Sequence, residues 1–168
     1  CSALIKEFLG DTIDIHGGGI DLSFPHHENE VAQSNCGNGA PLARYWMHNG
    51  MITVNGAKMA KSLGNVILLE DILKEYDGEA VRLTLISAHY RQPLDWTRRR
   101  TQASKETLLK FHNALEEYNG DGVVDMKSFT KFKNALEDDL NIPLGISIMH
   151  EITGLIHKSK GDIRKNFQ

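Results

Sequence analysis

The chain has 168 residues, of which 40% are apolar and 24% charged. This is close to the globular averages of ~45–50% and ~25%, so disordered, collagen-like and coiled-coil chains are excluded and a buried core is expected. The net charge of −3 excludes a uniformly basic nucleic-acid surface, but residues 1–30 hold one Lys against six Asp/Glu and residues 98–133 hold eight Lys/Arg against five Asp/Glu. The first block suits a cation and the second suits phosphates.

Ser2 to Leu9 has apolar residues at helical spacing, with Gly10 as its stop. Thr12 to Ile15 is predicted as a short strand. His16-Gly17-Gly18-Gly19 is then expected to be an unpacked glycine loop. Pro25 is placed as the first residue of a helix to about Ser34. Asn35 to Pro41 is turn chemistry, and Ala43 to His48 is short and aromatic. Met51 to Val54 is strand-like and meets the tight-turn pair Asn55-Gly56. Lys58 to Asn65 is a polar loop. Leu69–Tyr76 and Glu79–Tyr90 are predicted as helices around Asp77-Gly78. After Gln92-Pro93 the pattern becomes all helical, with helices over Thr97–Tyr118, Phe129–Leu140 and Pro143–His157 and a break at residues 119–122. The composition shift divides the chain into 1–92 and 93–168.

Two cysteines make no disulfide scaffold, and a reduced, cytoplasmic setting fits them. No apolar run approaches the ~20 residues that a membrane-spanning helix needs, so no membrane partner is expected. No signal or transit peptide precedes the first helix, and Cys1 stands where a Met would be; the chain reads as a stretch of something longer.

His26 and Glu30 are four apart, which puts both side chains on one helix face. Imidazole, carboxylate and thiolate all ligate zinc, so Cys1 could complete a set with them; the other reading is a solvated His/Glu pair. Val31 stands where a His-Glu-x-x-His metalloprotease needs its second His. Bare backbone at Gly17, Gly18 and Gly19 lets a ligand approach closely, and Asp21 could accept from a ribose hydroxyl. The bland alternative is an ordinary connection, because neither a Gly-x-Gly-x-x-Gly nor a Walker pattern is present. Lys58 and Lys61 lie on one loop and could close over a polyphosphate, or could simply be solvated. Trp46, Met47 and His48 could line a base pocket or the core. Arg98-Arg99-Arg100 reads as a solvated helix face or as an RNA phosphate contact.

Together, Asp14–Leu22 with His16-Gly17-Gly18-Gly19, Phe24-Pro25-His26-His27-Glu28-Asn29-Glu30, Tyr45–Gly50 and Lys58-Met59-Ala60-Lys61-Ser62-Leu63-Gly64-Asn65 resemble the cysteinyl-tRNA synthetases, class I aminoacyl-tRNA synthetases. Ser87–Arg91 and Asp138–Pro143 look like the same family. The resemblance covers nearly the whole chain. It implies an α/β fold: the C-terminal part of a Rossmann-like catalytic domain, followed by an all-helical domain on the tRNA side. It implies a zinc ion held by Cys1, His26, Glu30 and a further Cys in an earlier segment absent here. That segment would also carry the His-Ile-Gly-His-type signature. The adenosine part of ATP, brought with Mg2+, would meet Gly17, Gly18, Gly19, Asp21 and His48. Lys58 and Lys61 would be catalytic on its phosphates, within a Lys-Met-Ser-Lys-Ser-type loop whose middle Ser is Ala60. The implied activity joins cysteine to ATP and then to tRNA(Cys). By the same logic the stretch alone is expected to be inactive without its N-terminal half, and its truncated parallel sheet should show an open apolar edge.

Two other functions compete. One is a related ligase that passes cysteine to an amino-sugar; residues 97–168 and Glu30 argue against it. The other is a non-catalytic, zinc-stabilised RNA-binding module, which would not need the lysine loop.

Overall fold

Gly10 takes φ 101°, a conformation that a side chain disfavours, and its amide reaches the Ile5 and Lys6 carbonyls (3.1 and 3.3 Å). It thereby ends the first helix, α1 (Ser2–Leu9), where the sequence predicts. The computed structural model describes residues 1–118 and 125–165 and groups them into two compact units. Residues 1–51 with 90–93 form the first, and residues 52–89 with the described residues from Leu94 onward form the second.

In the first unit, α1 leads into strand β1 (Ile13–Gly19), helix α2 (Glu28–Asn38) and strand β2 (Ala43–Asn49). The two strands pair in parallel, with His16 opposite Trp46 and Gly18 opposite His48. A parallel pair needs a crossover, and α2 supplies it. The expected glycine loop is instead the second half of β1. The reason is space: a Cβ on Gly18 would lie 2.9 Å from His27 Cε1 and 3.1 Å from Leu22 Cδ1. Phe24 is extended (φ −137°, ψ 133°) and is followed by a cis bond to Pro25. Pro25 sits in a wide turn, Ser23–His27, and regular helix starts only at Glu28, three residues later than expected. That helix outruns the expected end at Ser34 and stops at Gly39 (φ 68°). Ile15 and Tyr45, directly paired, are 59% and 69% exposed, so one face of this two-stranded sheet is open and apolar.

Gly50 lies under the returning chain, donating its amide to Tyr90 O (2.7 Å), and a Cβ there would strike the Gln92–Pro93 backbone.

In the second unit, β3 (Ile52–Val54) and β4 (Ala57–Lys58) form a hairpin through Asn55 and Gly56, whose φ values of 50° and 78° suit a tight primed turn. β5 (Leu94–Trp96) pairs in parallel with β3. Helices α3 (Leu69–Glu75) and α4 (Gly78–Ile86) lie between β4 and β5 in sequence. α4 ends four residues before the expected Tyr90; Ser87 caps it by donating from Oγ to Thr84 O at 2.8 Å. α5 (Arg98–Glu117) is the long helix predicted, with Thr97 Oγ1 accepting from Arg100 N. The predicted break at 119–122 lies outside the described residues. α6 (Met126–Glu137) ends before Leu140 because Asp139 and Leu140 take positive φ (50° and 55°). α7 (Ile142–Lys165) completes the unit. Its Gly145 lets α6 approach: a Cβ there would sit 3.2 Å from Phe132 Cε2. The core includes Val54, Leu94, Trp96, Ala80, Val81, Phe111, Ala114, Ala135 and Ile148.

α4 and α5 are pinned by two buried hydroxyls. Thr84 Oγ1 donates to Ala80 O (2.7 Å), so the Ser104 hydroxyl, 3.0 Å away, donates to Thr84. Thr84→Val keeps the shape but strands the Ser104 proton, at an expected cost of about 1–3 kcal/mol. Adding Ser104→Ala should recover most of that loss in thermal melts; a double variant as unstable as the single one would contradict this pairing.

No helix among the described residues is long and apolar enough to cross a membrane.

Candidate functional site

The sequence brings a thiol, an imidazole and a carboxylate together in the first unit. Cys1 enters at the start of α1, which is tied down by the next residue. Ser2 is buried, and its hydroxyl is shared between Gln33 Oε1 (3.0 Å) and the Glu30 carbonyl (3.3 Å), both on α2. His26 sits in the wide turn before α2, and Glu30 one turn further on. Cys1 Sγ lies 3.8 Å from His26 Nε2, which lies 3.4 Å from Glu30 Oε1. The three ligand atoms all fall within 4.8 Å of one another. The Glu30 side chain is only 4% exposed. Its second oxygen, Oε2, has an ion-pair contact with His16 Nε2 at 2.9 Å and no hydrogen-bond partner among the described residues. A buried carboxylate oxygen left in that state is costly unless a cation or proton satisfies it. The donor set suits a borderline metal ion.

Around Glu30 stands a group of rings that sequence reasoning did not assemble. His27 Nδ1 is 2.8 Å from His48 Nε2, and Trp46 packs against His16 and His27 with centroids 4.8 and 5.1 Å apart. The signal was the parallel pairing, which sets His16 beside Trp46 and Gly18 beside His48. His27 is 4% exposed. Burial first, and then the neighbouring His16, hold its pKa below the usual imidazole range, so it is neutral near pH 7. His16, His27 and Glu30 also meet within 4.8 Å of one another, so Glu30 faces imidazoles from both sides.

Gly17, Gly18 and Gly19 form the end of β1, and Asp21 is exposed in the short turn Ile20–Leu22 that follows. His48 lies in β2 with its Nε2 turned to His27.

Lys58 and Lys61 belong to the second unit. Lys58 ends β4, and Lys61 starts a single helical turn, Lys61–Leu63; both side chains are exposed. The loop between them is internally tied. Asn65 Oδ1 accepts from Ala60 N, and Asn65 Nδ2 donates to Lys58 O, both at 2.9 Å. Asn65 reaches this place because Gly64 adopts φ 62°.

Residues 1–106 match the model of the tRNA synthetase class I (C) catalytic domain. The chain belongs to that family. Its residues 131–166 match the DALR domain, so a class I synthetase catalytic part precedes a helical DALR part, as the sequence implies. Among curated relatives, the cysteine–tRNA ligase of Paramagnetospirillum magneticum (strain AMB-1) is 47% identical over 169 residues, covering 96% of this chain and 36% of the relative. That of Caulobacter sp. (strain K31) is 51% identical over 160 residues, covering 95% of this chain and 35% of the relative. The chain thus spans about a third of the length of these relatives. Among solved structures, the Agrobacterium radiobacter K84 agnB2 LeuRS–tRNA–LeuAMS complex superposes with a TM-score of 0.68 at 20% identity, over 89% of this chain and 23% of that one. This likeness carries the class I synthetase fold alone.

Proposed function

We propose that the chain is part of a longer cysteine–tRNA ligase, the parent enzyme, and carries the side-chain recognition ligands and the lysine loop of its catalytic domain. The observation that carries this reading is the Cys1, His26 and Glu30 cluster, whose ligand atoms lie within 4.8 Å of one another around a buried carboxylate. The relatives, named as cysteine–tRNA ligases at 47–51% identity, support it. Residues 1–92 are assigned to the catalytic part and 93–168 to the tRNA side, in a cytoplasmic enzyme.

The reaction has two steps. A carboxylate oxygen of cysteine bonds to the α-phosphorus of Mg2+-bound ATP, and the bond to the β-phosphate oxygen breaks, releasing pyrophosphate. A ribose hydroxyl at the 3′ end of tRNA(Cys) then takes the cysteinyl group, and AMP leaves with the bonding pair. No protein nucleophile is needed, so alignment and charge neutralisation carry the first step. Lys58 and Lys61 place cations where charge grows on the leaving phosphates. Gly17, Gly18 and Gly19 offer bare backbone to the adenosine part, with Asp21 and His48 beside it. Cys1, His26 and Glu30 are proposed to hold zinc, with a fourth ligand from outside this chain. When bound, zinc supplies a soft Lewis acid for the substrate sulfur, lowering a thiol pKa that is ~8.5 when free.

The test is cysteine-dependent ATP–pyrophosphate exchange and tRNA charging by the parent enzyme. Exchange with cysteine and not with serine, followed by transfer to tRNA and not to an amino-sugar, is expected. Transfer to the amine alone would assign the chain to the other ligase. The 168-residue stretch by itself is expected to show no exchange.

A further inference from the structure

Lys58, Thr53 and Asp95 occupy one row across β4, β3 and β5: Thr53 is paired with Lys58 on one side and with Asp95 on the other. Directly opposed residues in a sheet project to the same face, and two strand spacings set the ends of this row about 10 Å apart. Asp95 does not spend its charge on the lysine. Its Oδ1 accepts from Thr53 Oγ1 and from the Gly56 amide, both at 2.7 Å. These two bonds, the Gly56 amide most of all, hold the carboxyl below the usual carboxylate range. Gly56 is the second turn residue of the hairpin, and Lys58 follows two residues later. On the other side of Lys58, Asn65 holds its carbonyl. The backbone of Lys58 is therefore fixed from the turn by Asp95 and from the loop by Asn65.

We propose that Asp95 is a positioning residue for the activation step: by clasping the Asn55-Gly56 turn to β5, it sets the register of β4 and hence the place of the Lys58 ammonium. The proposal rests on the reading of Lys58 as a cation for the ATP phosphates. The carboxylate acts as an acceptor, so an amide of the same shape should serve nearly as well.

The experiment is a double-mutant cycle in the parent enzyme, read by cysteine-dependent ATP–pyrophosphate exchange. Asp95→Ala is expected to lower exchange about tenfold, the loss of a hydrogen bond to a charged acceptor, with the KM for cysteine unchanged. Asp95→Asn should restore exchange to within about threefold, because its amide oxygen still accepts. In a Lys58→Ala background, Asp95→Ala should cost no more than about twofold, since the group through which it acts is gone. An equal loss from Asp95→Ala in both backgrounds overturns the proposal while leaving the reading of Lys58 intact. No loss from Lys58→Ala overturns both. If Asp95→Ala lowers the melting temperature, Asp95→Glu takes its place in the same cycle. It keeps the charge but displaces the acceptor by one methylene, and the same outcomes decide.

Discussion

Glu30→Ala in the parent enzyme is expected to abolish zinc binding and to raise the KM for cysteine at least about a hundredfold, beyond the 10–100-fold typical of outer-shell partners. Glu30 is the buried member of its ligand set and contributes the only carboxylate to it. Removing it leaves one thiol and one imidazole from this chain which, with the ligand proposed from outside it, make three, one short of a closed tetrahedral site. Glu30→Gln preserves volume and separates ligation from packing, because an amide oxygen is a poor zinc ligand. Metal analysis of both variants, with cysteine measured against serine, reads the outcome. Full zinc content and intact discrimination in Glu30→Gln would remove Glu30 from the ligand set.

The second large effect falls in the other unit. Lys61→Ala is expected to slow pyrophosphate exchange by about 10²–10³, the usual cost of deleting one preorganised group that stabilises developing charge. Ala60→Ser, which supplies the hydroxyl of the Lys-Met-Ser-Lys-Ser-type loop that this segment resembles, should change the rate by about tenfold at most, since one neutral hydrogen bond is worth ~0.5–1.5 kcal/mol. The backbone amide of Ala60 is already held by Asn65, so the loop does not depend on that hydroxyl for its shape. A hundredfold gain in Ala60→Ser would show that the native loop is defective.

The parts legible in the sequence were those written in local chemistry. Asn55-Gly56 announced its hairpin, because few pairs tolerate positive φ twice. Gly10 announced the end of α1. His26 and Glu30 announced a shared face through their four-residue spacing, and Cys1, the third member the sequence suggested, has its thiol within 4.8 Å of them. What was hidden depended on distant partners. Glycines in a row have no strand propensity, so nothing local marks Gly17–Gly19 as half of β1; the His27 ring and Leu22 leave no room for a side chain at Gly18. Asp95, in the run Pro93-Leu94-Asp95-Trp96, matches no motif. Its partners lie 39 and 42 residues earlier, beyond the reach of any motif. The ring cluster around Glu30 follows only once the strand register is known.

The attachment of Cys1 has a kinetic consequence. Cys1 is the N-cap of an eight-residue helix whose hold on α2 includes the buried Ser2 hydroxyl. The sulfur is carried by the first turn of α1, which the Ile5 amide closes on the Cys1 carbonyl, whereas His26 and Glu30 are carried by the turn before α2 and by α2 itself, so unwinding that one turn would part the thiol from the other two groups. The residence time of an ion held by all three groups would then depend on how long that turn stays wound. An ion that binds clamps that turn in return, so amide exchange at Ile5, whose N–H bonds the Cys1 carbonyl at 3.0 Å, becomes a clock for metal release.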